Sequence, residues 1–382
     1  MKNNKGFALL SVIIAFIVIS LMAVFFTNFI STESVTSTEK YKSTQAYYIA
    51  EGGLEYVLKR RTFPNYYLQN QQLSGGFFSV YTSNYTRSSI DLTVRGKYNN
   101  YERAIKAQVS RSSPYVKQGT FFKRNGTGLQ SITGLGFQPK AVIFYWTRQT
   151  NTGFSSDVNT GFGMATSPIN QSAVSITMRD NRNRSDQGRR YSSNNCIIFL
   201  TGGGPPNLEA QATFVSFDTN GFTINWITGS ANQYIIHYIA LGGDIQARSG
   251  NFNLTATGGI QSITGVGFQP DFVLFNWSYG NTLDTNLARS QLGIGFTTGS
   301  SNQVALVQAG SDNVGNNNDK RWWQRTDSCI LGLTNGNPPA QDTRVSLVSM
   351  DVDGFTINKI NPPAVTHTIF YLAIKGGQHS IG

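Results

Sequence analysis

Charge is scarce in this chain: Asp, Glu, Lys and Arg make up 13% of 382 residues, roughly half the share of an average soluble domain. Histidine is scarcer still. His237, His367 and His379 are scattered along the sequence, and no H-E-x-x-H, C-x-x-C, P-loop or G-x-S-x-G pattern accompanies them, so neither a metal site nor an activated nucleophile is implied. Gly202-Gly-Gly-Pro-Pro206 lacks the Lys and the helix of a phosphate loop and reads as a turn. Carboxylates are sparse, although a glycosidase needs only two. The expectation is a protein that is not an enzyme and takes no metal or cofactor. The two cysteines, Cys196 and Cys329, each precede an apolar run, a setting that suits free, buried thiols.

In place of charge stand 39 Gly, 25 Phe and 17 Tyr, with runs of Asn, Ser and Thr. These residues favour strands and turns, so the bulk of the chain is expected to be all-β. The length allows about two to four domains. The net charge of +11 is uneven: residues 61–116 carry seven bases and two acids, whereas residues 245–382 balance at eight and eight. A basic neck suits a solvated face, or attraction to anionic surfaces, lipid headgroups or nucleic acid.

The N-terminus has the one long apolar run, Phe7 to Ile30, interrupted only by Ser11, Ser20, Thr27 and Asn28 and preceded by Lys2 and Lys5. As a helix it would extend about 36 Å, enough to span a bilayer, with the first residues cytoplasmic. Thr44–Arg60 continues with an amphipathic stripe through Tyr47, Ala50, Leu54, Val57 and Leu58. After Pro64 the period changes to two, and Phe77–Tyr81, Ile90–Tyr98 and Arg103–Val109 read as an antiparallel meander. The basic leader ending at Gly6, the Gly6–Phe7 junction, the apolar helix and the Ala-Glu-x-Gly-Leu phrase of Ala50 to Leu54 resemble type IV pilins and minor pseudopilins. That resemblance implies cleavage after Gly6 by a prepilin peptidase and methylation of Phe7. Ser11 stands where the family usually has Glu, which implies a tip rather than a shaft position. It also implies other pilin subunits as partners through the helix, the inner membrane before assembly, and an extracellular filament or cell surface afterwards.

Downstream the chain repeats itself. Leu129-Gln-Ser-Ile-Thr-Gly-Leu-Gly-Phe-Gln-Pro139 recurs from Ile260 to Pro270, shifted by 131, and Gly221-Phe-Thr-Ile-Asn225 recurs as Gly354–Asn358, shifted by 133. Continuous apolar runs, Ala141–Trp146 and Phe272–Trp277, read as strands buried on both faces, with Trp146 and Trp277 in the core. Around eight strands per copy suggest a jelly-roll-like sandwich. The Gly-Phe-Gln-Pro phrase is similar to modules of phage tails and secreted surface proteins, a likeness of architecture alone. The expected fold is therefore α+β at the N-terminus, a long membrane helix plus a small antiparallel sheet, followed by two all-β sandwich repeats. Its expected divisions are a leader at 1–6, a helix at 7–60 with its membrane part at 7–30, a sheet at 61–112, and repeats at 117–244 and 245–382.

Before each cysteine lies a long polar segment. The first offers Arg182, Arg184, Arg189, Arg190 and Tyr191, the second Arg321, Trp322, Trp323 and Arg325. Guanidinium groups and aromatic faces suit sugar hydroxyls and ring faces, and Arg clusters suit phosphate or acidic polymers. A glycan or other surface ligand is the expected partner. The sequence leads to a minor or tip pilin-like subunit presenting two sandwiches for adhesion or ligand binding. The alternatives are a structural filament subunit, a secretion-system pseudopilin, or a DNA-uptake subunit.

Overall fold

The computed structural model describes residues 5–60, 68–84, 89–110, 115–315 and 319–376, and in the helix it describes side chains at Leu21, Met22, Thr27 and from Glu33 to Leu58. The chain forms two compact units, Met1–Ser112 and Ser113–Gly382. In the first, helix α1 (Lys5–Arg60) is followed by an antiparallel meander of β1 (Leu68–Leu73), β2 (Gly76–Ser83), β3 (Ser89–Tyr98) and β4 (Tyr101–Ser110). Ile49, Ala50 and Val57 of the helix bury against Phe78, Val80 and Val94 of the sheet. The amphipathic stripe and the alternating strands meet as one small core.

The α+β class with a membrane-crossing helix is corrected here. Among the described residues no helix is long and apolar enough to cross a membrane. The described part of α1 carries Glu33, Glu39, Lys40, Lys42, Glu51 and Glu55, charges that are expensive in hydrocarbon. The chain is predominantly β, with one helix and five sheets among the described residues. Residues 1–4 of the expected leader, and the side chains of Gly6, Phe7 and Ser11, lie outside the described set.

The second unit holds two modules of matching topology. Module 1 comprises β5 (Tyr115–Phe122), β6 (Gly128–Thr133), β7 (Pro139–Thr147), β8 (Val158–Ser167), β9 (Asn170–Arg179), β10 (Asp186–Ser192), β11 (Ile197–Thr201), β12 (Asn207–Asp218), β13 (Gly221–Thr228) and β14 (Ile235–Gly242). Module 2 comprises β15 (Gln246–Leu254), β16 (Gly259–Thr264), β17 (Phe272–Trp277), β18 (Leu287–Ala288), β19 (Ser290–Gly299), β20 (Asn302–Gly310), β21 (Lys320–Arg325), β22 (Ile330–Leu333), β23 (Gln341–Asp351), β24 (Gly354–Asn361) and β25 (His367–Lys375). The large sheet of module 1 runs β10-β9-β8-β7-β14-β5 and that of module 2 runs β21-β20-β19-β17-β25-β15; the small sheets run β11-β12-β13-β6 and β22-β23-β24-β16. Apart from β18, each module has ten strands rather than the expected eight or so. The extra ones include β8 and β19, whose glycines break up any apolar run. A Cβ at Gly161 or Gly293 would run into the ring of Trp146 or Trp277, and one at Gly163 or Gly295 into the carbonyl of Cys196 or Cys329.

The four sheets stack in layers with three apolar cores between them. One core, with Phe144, Trp146, Phe199 and Trp226, fills module 1. A second, with Phe275, Trp277, Leu331 and Phe355, fills module 2. The third joins the outer faces of the two large sheets, with Phe162, Met164, Val174 and Ile176 packed against Leu274, Leu292, Phe370 and Leu372. Strands such as β17 are consequently buried on both faces. Cys196 and Cys329 are unbonded and fully buried. Burial raises both thiols, Cys329 to about 12.

Candidate functional site

The polar segment before Cys196 lies between the two modules. Loop 278–289 of module 2 reaches over module 1, where its short strand β18 pairs with β10 through Gly188 with Ala288 and Arg189 with Leu287. Arg189, only 5% exposed, donates from Nη1 to the carbonyls of Ala288 at 2.6 Å and Arg289 at 3.0 Å. Burial lowers its pKa, and its guanidinium lies over the Tyr279 ring. Arg190 donates to Asn286 Oδ1 at 3.1 Å and pairs with Asp284. The Tyr191 hydroxyl donates to the Tyr279 carbonyl, and burial pushes its pKa up to about 12. Arg184 donates to the Asn313 carbonyl, while Arg182 faces Asp186 within its own loop at 3.7 Å. Four of the five candidates in the first copy thus bond module 2.

The centre of this junction is Gln187, a residue absent from the sequence-based candidates. Its amide nitrogen donates to Asp319 Oδ2 and its Oε1 accepts from Ser290 Oγ. Its backbone N–H donates to Asp312 Oδ1 and its carbonyl accepts from the Arg289 N–H. A Cβ on Gly310 would occupy the place of Gln187 Oε1, so the glycine admits the amide. The partners, three side chains, one backbone N–H and one glycine, lie more than a hundred residues away in module 2, and that separation leaves no motif in the sequence.

The candidates of the second copy lie on β21, at the end of its sheet. Trp323 points inward onto the module 2 core, Trp322 is 75% exposed, and the Arg321 guanidinium reaches the Lys320 carbonyl. Arg325 forms a two-pronged ion pair with Asp327, which also meets Arg344. Arg189, Arg190 and Tyr191 on β10 and the second set on β21 therefore occupy equivalent strands but different surroundings.

A polar cleft of about 380 Å³ opens in module 1 beside the β7–β8 loop. Arg148, Phe154, Asp157, Asn159, Thr160 and Arg179 line it. Phe154 is fully exposed. Asn159 donates from Nδ2 to the Leu200 carbonyl at 2.6 Å, and its buried Oδ1 has no partner. Arg179 is held by Asp186 at 3.2 Å. Arg148 is held by Glu209 at 2.7 Å, and the same carboxylate accepts from Tyr234 at 2.5 Å and Asn232 at 2.8 Å. Burial works to raise the Glu209 carboxyl, but these donors and the Arg148 charge outweigh it and hold it below its ordinary value. Burial and the Glu209 carboxylate push Tyr234 up to about 12.

Module 2 builds a variant of this pair. Asp342 and His367 stand 133 residues beyond Glu209 and Tyr234, with His367 Nε2 3.8 Å from Asp342 Oδ2. His367 accepts at Nδ1 from the Gly280 N–H, and its Nε2 has no hydrogen-bond partner. Burial lowers its pKa to about 4, against the opposing pull of Asp342. The matching offset was present in the sequence, but only the fold, which brings β12 and β23 beside the starts of β14 and β25, shows that each carboxylate faces its aromatic partner.

No family model matches the chain, and no curated protein matches it. The resemblance to type IV pilins is therefore corrected: neither a matching family nor a membrane-spanning helix among the described residues supports it. The pilus and transmembrane expectations lose their support among the described residues, while the processing expectation at Gly6 and Phe7 lies outside the described side chains.

Proposed function

We propose that the tandem modules form a rigid binding unit that takes a hydroxyl-rich ligand, a glycan, in the module 1 cleft. The observation that carries this reading is an open polar cleft with two guanidinium groups, Arg148 and Arg179, on its wall, each already held in place by a carboxylate. Arg148 and Arg179 are fixed by their carboxylates and keep further N–H groups for hydroxyl oxygens. Phe154 supplies an apolar face for a sugar ring. The three-core stack holds these loops on a rigid scaffold, the arrangement that suits recognition by loops.

The test is a glycan array probed with the full chain, followed by titration of any hit against Phe154→Ala and Arg179→Ala. Each variant is expected to weaken binding by about ten-fold, the worth of one aromatic contact or one hydrogen bond to a well-placed group. An array with no hit, or a hit bound equally well by both variants, sinks the proposal.

A further inference from the structure

We propose that the module 1 cleft takes an uncharged glycan and turns away acidic ones, with Asp157 as the residue that discriminates between them; this deepens the glycan reading above and rests on it. The chain as a whole favours the opposite outcome. A net charge of +11 attracts acidic polymers to the surface in general, so the local charge of the cleft decides what stays bound.

The guanidinium groups at the cleft are already matched. Arg148 gives its Nε to Glu209 at 2.7 Å, while Arg179 and Arg182 share Asp186 at 3.2 Å and 3.7 Å. Asp157 and Asp180 then add carboxylates that enter no ion pair among the described residues. Even with the buried Lys123 counted, whose charge also reaches Glu209, the two signs cancel. A neutral ligand gains hydrogen bonds here without meeting a net field, whereas an anion finds no surplus cation to offset its loss of water.

Asp157 stands at the open end of a ladder. It precedes β8, and Asp180 follows β9, the strand paired with it. The Asp157 N–H donates to Asp180 Oδ2 at 3.2 Å, and Asp157 Oδ1 accepts from the Asp180 N–H at 2.8 Å. This exchange fixes the Asp157 carboxylate on the cleft wall and leaves its Oδ2 to accept from a ligand. An ionised carboxylate only accepts, so a sugar hydroxyl satisfies it, while a carboxylate or sulfate on the ligand is repelled. The backbone alone does not call for an acid at this place. Asp157 has a φ of 64°, and Arg289 makes the same left-handed turn in module 2 with a φ of 69°. Arg289 stands four residues before Gly293, as Asp157 stands four before Gly161, and its guanidinium goes to the Gly336 carbonyl. The two modules thus share the turn and differ in its charge, and the negative sign falls in the module that has the cleft.

The test is an array that sets neutral hexose oligosaccharides beside their hexuronic acid and sulfated counterparts, probed with the full chain and followed by titration of the best neutral and acidic pair. The neutral member is expected to bind about ten-fold more tightly or better. Its affinity is expected to change by less than about two-fold between about 50 and 500 mM NaCl, since binding neutralises no net charge. Asp157→Asn keeps the size of the side chain and an oxygen for the Asp180 N–H, and it is expected to lower the neutral-to-acidic ratio about five-fold. Asp180→Asn removes the neighbouring charge and is expected to move the ratio the same way to a smaller extent. A purely structural role would weaken both ligands together and leave the ratio where it was. A preference for the acidic member, or a ratio that neither variant moves, overturns the charge selection while glycan binding stands. An array without any hit overturns both.

Discussion

His367 is the residue whose chemistry bears most directly on stability. It is 1% exposed, its Nε2 lacks a hydrogen-bond partner, and Asp342 at 3.8 Å, Arg189 and the Tyr279 ring are its charged and aromatic neighbours. Burial holds its folded pKa near 4, below its ordinary value of 6.5, so between those values the unfolded chain binds the extra proton. Stability therefore falls as pH is lowered through that window and levels off below it, by about 3 kcal/mol in all. Urea unfolding at pH 7 and pH 4 measures the change, and His367→Gln is expected to flatten the part of the slope that belongs to this residue. An unchanged slope in His367→Gln would show that another group titrates. Gly310 acts by size instead of charge. Gly310→Ala is expected to displace Gln187 and destabilise the unit by about 1–3 kcal/mol, because the bonds to Ser290 and Asp319 are lost in a buried place. A thermal midpoint equal to that of the wild type would remove Gln187 from the centre of the junction.

At the scale of elements, β10 and β18 show where a sequence informs and where it stops. The Gly-Phe-Thr-Ile-Asn phrases are β13 and β24, legible because apolar and polar residues alternate and a turn precedes each. The rich supply of Arg and Tyr in the loop before Cys196 was legible too, but not its destination. Arg189 bonds two carbonyls about a hundred residues away, and a carbonyl is present at every residue, so no pattern in the sequence marks the acceptor. The two-residue strand β18 is likewise too short for any periodicity. The cleft was missed for a related reason: its lining is gathered from separate stretches, from Thr147 to Gly202, and that convergence is a property of packing alone. Arg189→Ala separates junction from ligand site. It is expected to lower stability by about 2–4 kcal/mol, since two buried carbonyls lose a charged donor, while a glycan bound at the cleft keeps its affinity. Urea unfolding and the binding titration on the same variant read both, and a loss of affinity without a loss of stability would return Arg189 to the ligand site.

For the second unit as a whole, the third core decides whether two modules behave as two domains or one. Interfaces between domains of one chain are usually polar and permit motion, unless they are large and apolar. Here Phe370, Leu372 and Leu274 of module 2 are as deeply buried against module 1 as the residues inside either sandwich, and Gln187 and Arg189 lock the rim. Opening one module would expose apolar surface on the other, so the two should unfold as a single cooperative unit. Leu372→Ala tests this, because its side chain packs on module 1 rather than into its own sandwich. It is expected to reduce stability by about 2–5 kcal/mol, the range for emptying a buried leucine site. Hydrogen exchange read by mass spectrometry should show faster opening of β9 in module 1 to the same extent as β19 in module 2. Protection of β9 left intact while β19 loosens would mean that the modules open independently, and that the central core adds contact without coupling.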